Sequence, residues 1–183
     1  MKRTTLVAAA AVLAVLSASA GAEVKFKYVG VGNCKKCHQT AKQGEQYKKW
    51  VTTKHATAFA TLSNEQSKEI ANKKGIADPT KAPECLKCHL TGGGLPAENF
   101  DTTFKADVEG VGCEACHGPG SAYWKNSVMK AISAKTQDGK AVGLIDPSEK
   151  VCVKCHNSES PTMKGKFDFK TQVEKVSHPK PKA

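Results

Sequence analysis

The chain has 183 residues, in which 28 lysines and arginines outnumber 17 acidic residues to give a formal charge of +11, and only 6% of the residues are aromatic. A mean hydropathy of −0.43 leaves little apolar surface for a conventional core. Since Arg3 is the only arginine, and arginine forks and stacking aromatics dominate nucleic-acid recognition, the composition argues against nucleic-acid binding.

The first 22 residues have the parts of a secretory signal peptide. Lys2 and Arg3 are basic, residues 6–16 are an uncharged apolar run, and Ala20-Gly21-Ala22 is a small-residue cleavage site. The apolar run is too short to span a bilayer. We therefore expect an exported mature protein of one domain, residues 23–183, without a membrane anchor. The periplasm is the expected location, with secretion as the alternative.

All eight cysteines of the chain fall in four C-x-x-C-H motifs. The motifs are Cys34-Lys35-Lys36-Cys37-His38, Cys85-Leu86-Lys87-Cys88-His89, Cys113-Glu114-Ala115-Cys116-His117 and Cys152-Val153-Lys154-Cys155-His156. C-x-x-C-H is the attachment sequence of c-type haem, because the two thiols bond to one porphyrin and the adjacent histidine reaches its iron. The sequence therefore predicts four haem c groups, bound covalently through these eight cysteines and ligated by His38, His89, His117 and His156.

Other uses of cysteine fit this pattern poorly. A disulfide framework does not require a histidine after every second cysteine. A structural zinc site takes four ligands from two C-x-x-C pairs, and a thioredoxin-like motif would occur once, beside a βαβ pattern. None of these alternatives explains four repeats of the same five-residue motif.

The segments between the motifs have the periodicity of short helices. We predict helices over 39–62, from Ser63 to Gly75 with a Ser63–Gln66 capping box, and over 121–135. Residues 91–96 form a glycine-rich loop, and 100–108 a short extended pair. Asp146-Pro147 is expected to start the helix of the fourth motif, and Asp168 the last helix. The predicted fold is mainly α and loop-rich, a compact arrangement of short helices organised around four covalently attached haems.

Histidines are too few to complete every haem in the same way. Four haems have eight axial positions, and outside the motifs only His55 and His178 remain. We expect both as distal iron ligands, although a histidine on an apolar face can also be a core residue. Met129 and Met163 are tentative distal ligands, since thioethers ligate haem but methionines more often fill gaps in a core. Lysine, water, a small ligand, a histidine of another molecule or no ligand are the other options.

Three stretches extend beyond the motifs and resemble the cytochrome c-554 family of tetrahaem cytochromes. They are Trp50-Val51-Thr52-Thr53-Lys54-His55-Ala56-Thr57-Ala58-Phe59, Gly110-Val111-Gly112 running through the third motif to Gly118-Pro119-Gly120, and Phe167-Asp168-Phe169 through Ser177-His178-Pro179. The resemblance implies closely packed haems in stacked and perpendicular pairs, distal ligation by His55, and electron transfer between periplasmic redox proteins.

The chain departs from the family after the third motif. Family members commonly have a histidine some ten residues after that motif, whereas Ser127 stands at about this place here. The resemblance then implies either substitution by Met129 or an open iron, and the family includes a five-coordinate haem.

These observations favour an electron carrier whose partners are other redox proteins. The excess of lysine suits partners with acidic docking surfaces. Reduction of a small nitrogen-oxide or oxygen species at a haem without a strong sixth ligand is the alternative, and a subunit of a haem filament is a third hypothesis. The sequence indicates no oligomeric state.

Overall fold

The computed structural model describes residues 25–163 and 165–180; the predicted signal peptide, residues 1–22, lies outside this range. Within it the chain is helical and loop-rich and forms no β-strand, which confirms the predicted fold class. Its α-helices are α1 (Val31–His38), α2 (Gln46–Val51), α3 (Glu65–Lys73), α4 (Pro83–His89), α5 (Ala106–Glu109), α6 (Cys113–His117), α7 (Asn126–Ser133), α8 (Glu149–Cys152) and α9 (Phe169–Val176). Short 3₁₀ turns connect some of them, such as Ala41–Gln43 and Ala60–Ser63.

Each haem-attachment motif begins on a short helix of its own. The first three motifs end helices α1, α4 and α6, and the fourth starts on α8 and continues into a turn. Helix α4 begins with Pro83, whose fixed φ and missing N–H suit the first helical position. Helix α9 begins after Asp168, as predicted, and the Asp168 carboxylate accepts the Lys170 N–H.

The prediction of one long helix over 39–62 is wrong. Only α2 is α-helical there, preceded by Glu45 in the left-handed conformation at φ +55°. The hydroxyl groups of Thr52 and Thr53 donate to the carbonyl oxygens three residues earlier, Lys49 and Trp50. Such local hydrogen bonds compete with helix continuation, so the chain turns at this point.

Other boundaries also differ from the predictions. Asn64, rather than Ser63, caps α3, because its side chain accepts the Ser67 N–H at 2.8 Å. The predicted extended pair within 100–108 is absent from the described chain, since Phe100 forms a parallel bridge with Tyr28. The structure differs in two further places: α7 occupies only part of the helix predicted over 121–135, and Ser148, not Asp146, precedes α8.

The polypeptide has a small apolar core. The buried hydrophobic side chains among the described residues are Val29, Val31, Leu62, Ala71, Ala82 and Tyr123. Buried polar side chains, including Glu109 and Glu114, join segments that are distant in sequence. Glu114 accepts the backbone N–H groups of Val29, Gly30 and Gly120, which ties α6 to the start of α1. Within residues 25–163 and 165–180, no helix has the length and apolar character needed to cross a membrane.

Candidate functional site

Three of the four motif histidines are held by hydrogen bonds at Nδ1 of the ring. Nδ1 of His38 lies 3.2 Å from Gln46 Oε1, and Nδ1 of His117 lies 3.3 Å from the Ile145 carbonyl oxygen. Nδ1 of His89 lies 2.8 Å from the Ala58 carbonyl oxygen, with the Thr61 hydroxyl at 3.2 Å. When Nδ1 donates in this way, Nε2 is left as the ligating atom and the ring is fixed in orientation.

The structure brings His55 to the histidine of the fourth motif. The ring centroids of His55 and His156 are 6.0 Å apart, with the planes at 60°. Two imidazoles on opposite sides of one metal ion, with bonds of about 2.0 Å, have centroids roughly 6.4 Å apart. Burial, followed by the facing His156, lowers the pKa of His55 and favours the neutral, ligating imidazole.

The second free histidine faces the third motif. The ring centroids of His117 and His178 are 5.9 Å apart, with the planes at 43°. Burial lowers the pKa of His117; the Ile145 carbonyl opposes this, and His178 lowers the pKa further. The tail that carries His178 is held by Pro179, whose carbonyl oxygen accepts from Gln46 Nε2 at 2.9 Å.

The other two motif histidines have no such partner in the described chain. His55 and His178 face His156 and His117, so His38 and His89 lack a second histidine from residues 25–163 and 165–180. Met129 lies half-buried in α7, and Met163 lies half-buried in the segment before α9. Their role as distal ligands remains a prediction.

The cysteines of different motifs lie close enough to influence one another. A hydrogen bond to Cys113, and then burial, raises the pKa of the Cys34 thiol. Burial and the neighbouring Cys88 raise the pKa of Cys155 to about 12. Burial, and next Cys152, raises the pKa of Cys116 to about 11. In space, therefore, the third motif lies next to the first and the fourth, and the fourth lies next to the second.

The residues present fit covalently bound haem. All eight cysteines are unpaired and half-buried, and the two facing histidine pairs have the spacing of trans axial ligands. No group of three or more His, Cys, Asp or Glu side chains in the described ranges is placed to hold a metal ion. A haem iron takes only two protein ligands, since the porphyrin supplies the other four.

Comparison with known proteins identifies the relationship. The family model described as "Cytochrome c554 and c-prime" matches residues 33–118. Cytochrome c-554 of Nitrosomonas europaea is 32% identical over 173 residues, which cover 87% of this chain and 70% of that protein. The chain belongs to the cytochrome c-554 family. The structure of reduced cytochrome c554 from Nitrosomonas europaea is also similar, with a TM-score of 0.51 and 25% identity over 82% of this chain and 78% of that one.

Membership of the cytochrome c-554 family confirms the resemblance drawn from the sequence. It also confirms the predicted cofactor, because members of this family are tetrahaem c-type cytochromes and the C-x-x-C-H motifs of this chain supply four attachment sites. The protein is therefore a multihaem c-type cytochrome.

Sequence reasoning missed the residues that orient the motif histidines. Gln46 and Thr61 lie beside His38 and His89 in the fold but are separated from them in sequence. The buried acids Glu109 and Glu114 were missed as well, because nothing in their sequence neighbourhood distinguishes them from surface carboxylates. Glu114 occupies a variable position of the third motif, which gave no signal.

Proposed function

We propose that residues 23–183 form a single exported tetrahaem domain that transfers electrons between redox proteins. The two facing histidine pairs are the observation that carries this proposal. Two strong axial ligands hold a haem iron in the same coordination in both oxidation states, which suits electron transfer rather than substrate binding. The signal-like N-terminus supports a periplasmic location, with secretion as the alternative.

We propose the assignment of ligands on the same geometry. Proximal ligation falls to the four motif histidines. Distal ligation falls to His55 at the haem of the fourth motif and to His178 at the haem of the third. Their centroid distances of 6.0 and 5.9 Å support this pairing.

The protein side chains contribute orientation and a fixed environment. Haem c supplies a reversible one-electron iron couple. Gln46 and the carbonyl oxygen of Ile145 hold the rings of His38 and His117 through Nδ1, so these ligands need not rearrange when the charge on the metal changes. The adjacency of the cysteines in the order first, third, fourth and second motif supports a continuous route for electrons.

Exposed lysines around the first motif support docking of an acidic redox partner. Residues 31–54 contain six exposed lysines and a single acid, Glu45, which pairs with Lys48. The lysines are Lys35, Lys36, Lys42, Lys48, Lys49 and Lys54. A single-sign patch of this kind attracts an oppositely charged protein and orients it. We expect electron exchange with an acidic donor or acceptor to slow as ionic strength rises.

A second function, reduction of a small nitrogen-oxide or oxygen species, is favoured by one observation. Neither His38 nor His89 faces a second histidine of the described chain, so the haems of the first and second motifs are the candidates for open coordination. Tyr123 is poorly placed to assist this reduction, because it is buried and its hydroxyl donates to the Gly118 carbonyl oxygen at 2.6 Å.

Electron paramagnetic resonance of the ferric holoprotein separates the alternatives. We expect two low-spin haems with paired imidazoles, and two haems that differ from them. High-spin signals that disappear on addition of nitric oxide or cyanide would identify open sites and favour the reductase. Four low-spin haems would eliminate open coordination, and fewer than two would contradict the histidine pairing.

A further inference from the structure

Glu109 is a buried acid whose hydrogen bonding is incomplete. It ends α5 with 1% of its surface exposed, and its Oε1 accepts the N–H of Val31 at the start of α1. Its other oxygen, Oε2, is buried and has no hydrogen-bond partner among the described residues. A buried carboxylate oxygen without a donor is costly when charged, whereas a proton on that oxygen removes the charge.

The neighbouring Glu114 differs in how its charge is supported. Glu114 is 2% exposed and accepts three backbone N–H groups, from Val29, Gly30 and Gly120. Burial raises the pKa of Glu114 as well, but these three donors oppose the rise, and two buried acids that interact do not both ionise readily. Burial raises the pKa of Glu109 to about 7; the Val31 N–H opposes this shift, and the charge of Glu114 adds to it.

Glu109 contributes to the wall of a surface cleft. Its volume is about 240 Å³, and its lining includes Lys36 of α1, Thr103, and the exposed Lys105 and Val108. The charged groups around Glu109 are thus Glu114 on α6, Lys36 on α1, Lys105 before α5, and Asp107 on α5 itself. The cleft brings solvent to the wall that Glu109 forms.

The two acids lie beside the covalent attachment of two haems. The charges of Glu114 and Glu109 contribute to raising the pKa of the Cys34 thiol, after the effects of Cys113 and burial. Glu114 is also the residue next to Cys113. A charge on Glu109 is therefore felt where the haem of the first motif is bonded to the protein, in a region of low dielectric.

We propose that Glu109 is a redox-linked proton-binding site of the haem attached at Cys34. When one electron from a donor protein enters that haem, one proton from solvent binds Oε2, and reoxidation returns the electron to the acceptor and the proton to solvent. The added electron and the carboxylate charge repel each other, so proton affinity rises on reduction. This site rests on the proposed electron transfer and makes it proton-coupled.

Redox titration of the holoprotein from about pH 5 to pH 9 tests the proposal. In the wild type the potential of one haem falls as pH rises through the region near the pKa of Glu109, by up to about 59 mV for each tenfold fall in proton concentration. Glu109→Gln abolishes this dependence, because the amide fills the same space without titrating. Asp107→Asn, an equal charge change on an exposed residue of the same helix, preserves it. An unchanged slope in Glu109→Gln overturns the proposal.

Infrared difference spectroscopy on the wild type tests whether a glutamate takes up the proton, so the proposal can be overturned even if Glu109→Gln does not fold. Protein labelled with ¹³C-glutamate, but supplied with an unlabelled haem precursor, distinguishes glutamate from the haem propionates. We expect a carboxylic-acid C=O band that grows on reduction and shifts with the label. If that band is absent, or is insensitive to the label, the proposal is wrong. Electron transfer that persists without proton uptake would reject this site and leave the proposed function intact.

Discussion

The four haem-attachment motifs fall into two groups that differ in what faces the motif histidine. At the third and fourth motifs, a histidine from a distant segment faces the motif histidine. The ring centroids are 5.9 and 6.0 Å apart, which leaves room for one metal ion between the two rings. At the first and second motifs Gln46 and Thr61 orient the ring of the motif histidine, but no histidine of the described chain faces it. The attachment motif is thus the same at all four sites, whereas the presence of a facing histidine depends on how distant segments fold together.

The two facing histidines are also held differently. His55 is half-buried, and its carbonyl oxygen accepts the Val111 N–H at 2.9 Å, so it is docked against the segment before the third motif. Trp50 reinforces this contact by donating to the Val111 carbonyl oxygen at 2.9 Å. His178 lies in an exposed tail held mainly through Pro179. The histidine that faces the fourth motif is therefore held more rigidly than the one that faces the third.

Removal of His55 should have the largest effect. In His55→Ala we expect one of the two low-spin haems to become high-spin, because no other described histidine can face His156. Electron paramagnetic resonance and optical spectra measure the change. Lys54→Ala, at the exposed preceding residue, should leave both low-spin signals intact. Unchanged spectra in His55→Ala would rule out its assignment as a ligand.

Replacement of His178 should give the same spectral change at the third motif, but one that is easier to reverse. Because the tail is exposed, added imidazole should restore the low-spin signal at a lower concentration in His178→Ala than in His55→Ala. Titration with imidazole measures the difference. Lys175→Ala, on the exposed surface of α9, is the control. Equal imidazole requirements would remove the proposed contrast between a rigid and an accessible distal side.

The sequence predicted the parts of the site whose spacing is dictated by chemistry. A C-x-x-C-H motif is local, so the haem attachments were predictable, and counting the histidines singled out His55 and His178. Their partners were not predictable, because pairing His55 with His156 depends on how distant segments pack. The helix predicted over 39–62 failed for a related reason. Its apolar periodicity is real, but the hydroxyl groups of Thr52 and Thr53 end the helix locally.

A glycine before the third motif allows the rigid docking of His55. Gly110 has φ +49°, and a Cβ at this position would lie 2.5 Å from the His55 carbonyl oxygen. Gly110→Ala therefore combines backbone strain of about 1–3 kcal/mol with a clash against the segment that carries His55. We expect lower stability in denaturant titrations and a perturbed low-spin signal. Gly75 has a similar positive φ of +69° but open space around it. Gly75→Ala should therefore lower stability without perturbing the low-spin signal.

Gln46 connects the two groups of sites, and its replacement should have the smallest but broadest effect. Its Oε1 faces His38 Nδ1, and its Nε2 donates to the carbonyl oxygens of Gln43 and Pro179, beside His178. In Gln46→Leu we expect the reduction potential of the haem at the first motif to shift. We also expect His178 to bind the haem iron at the third motif about 10- to 100-fold more weakly.

Potentiometry and imidazole titration on the same sample measure these two effects of Gln46→Leu. Gln66→Leu, on the exposed face of α3, should cause neither effect. A change at the first motif alone would mean that the tail keeps His178 in place without Gln46. A change at both motifs would mean that one side chain sets the ligand geometry of a haem with a facing histidine and of one without.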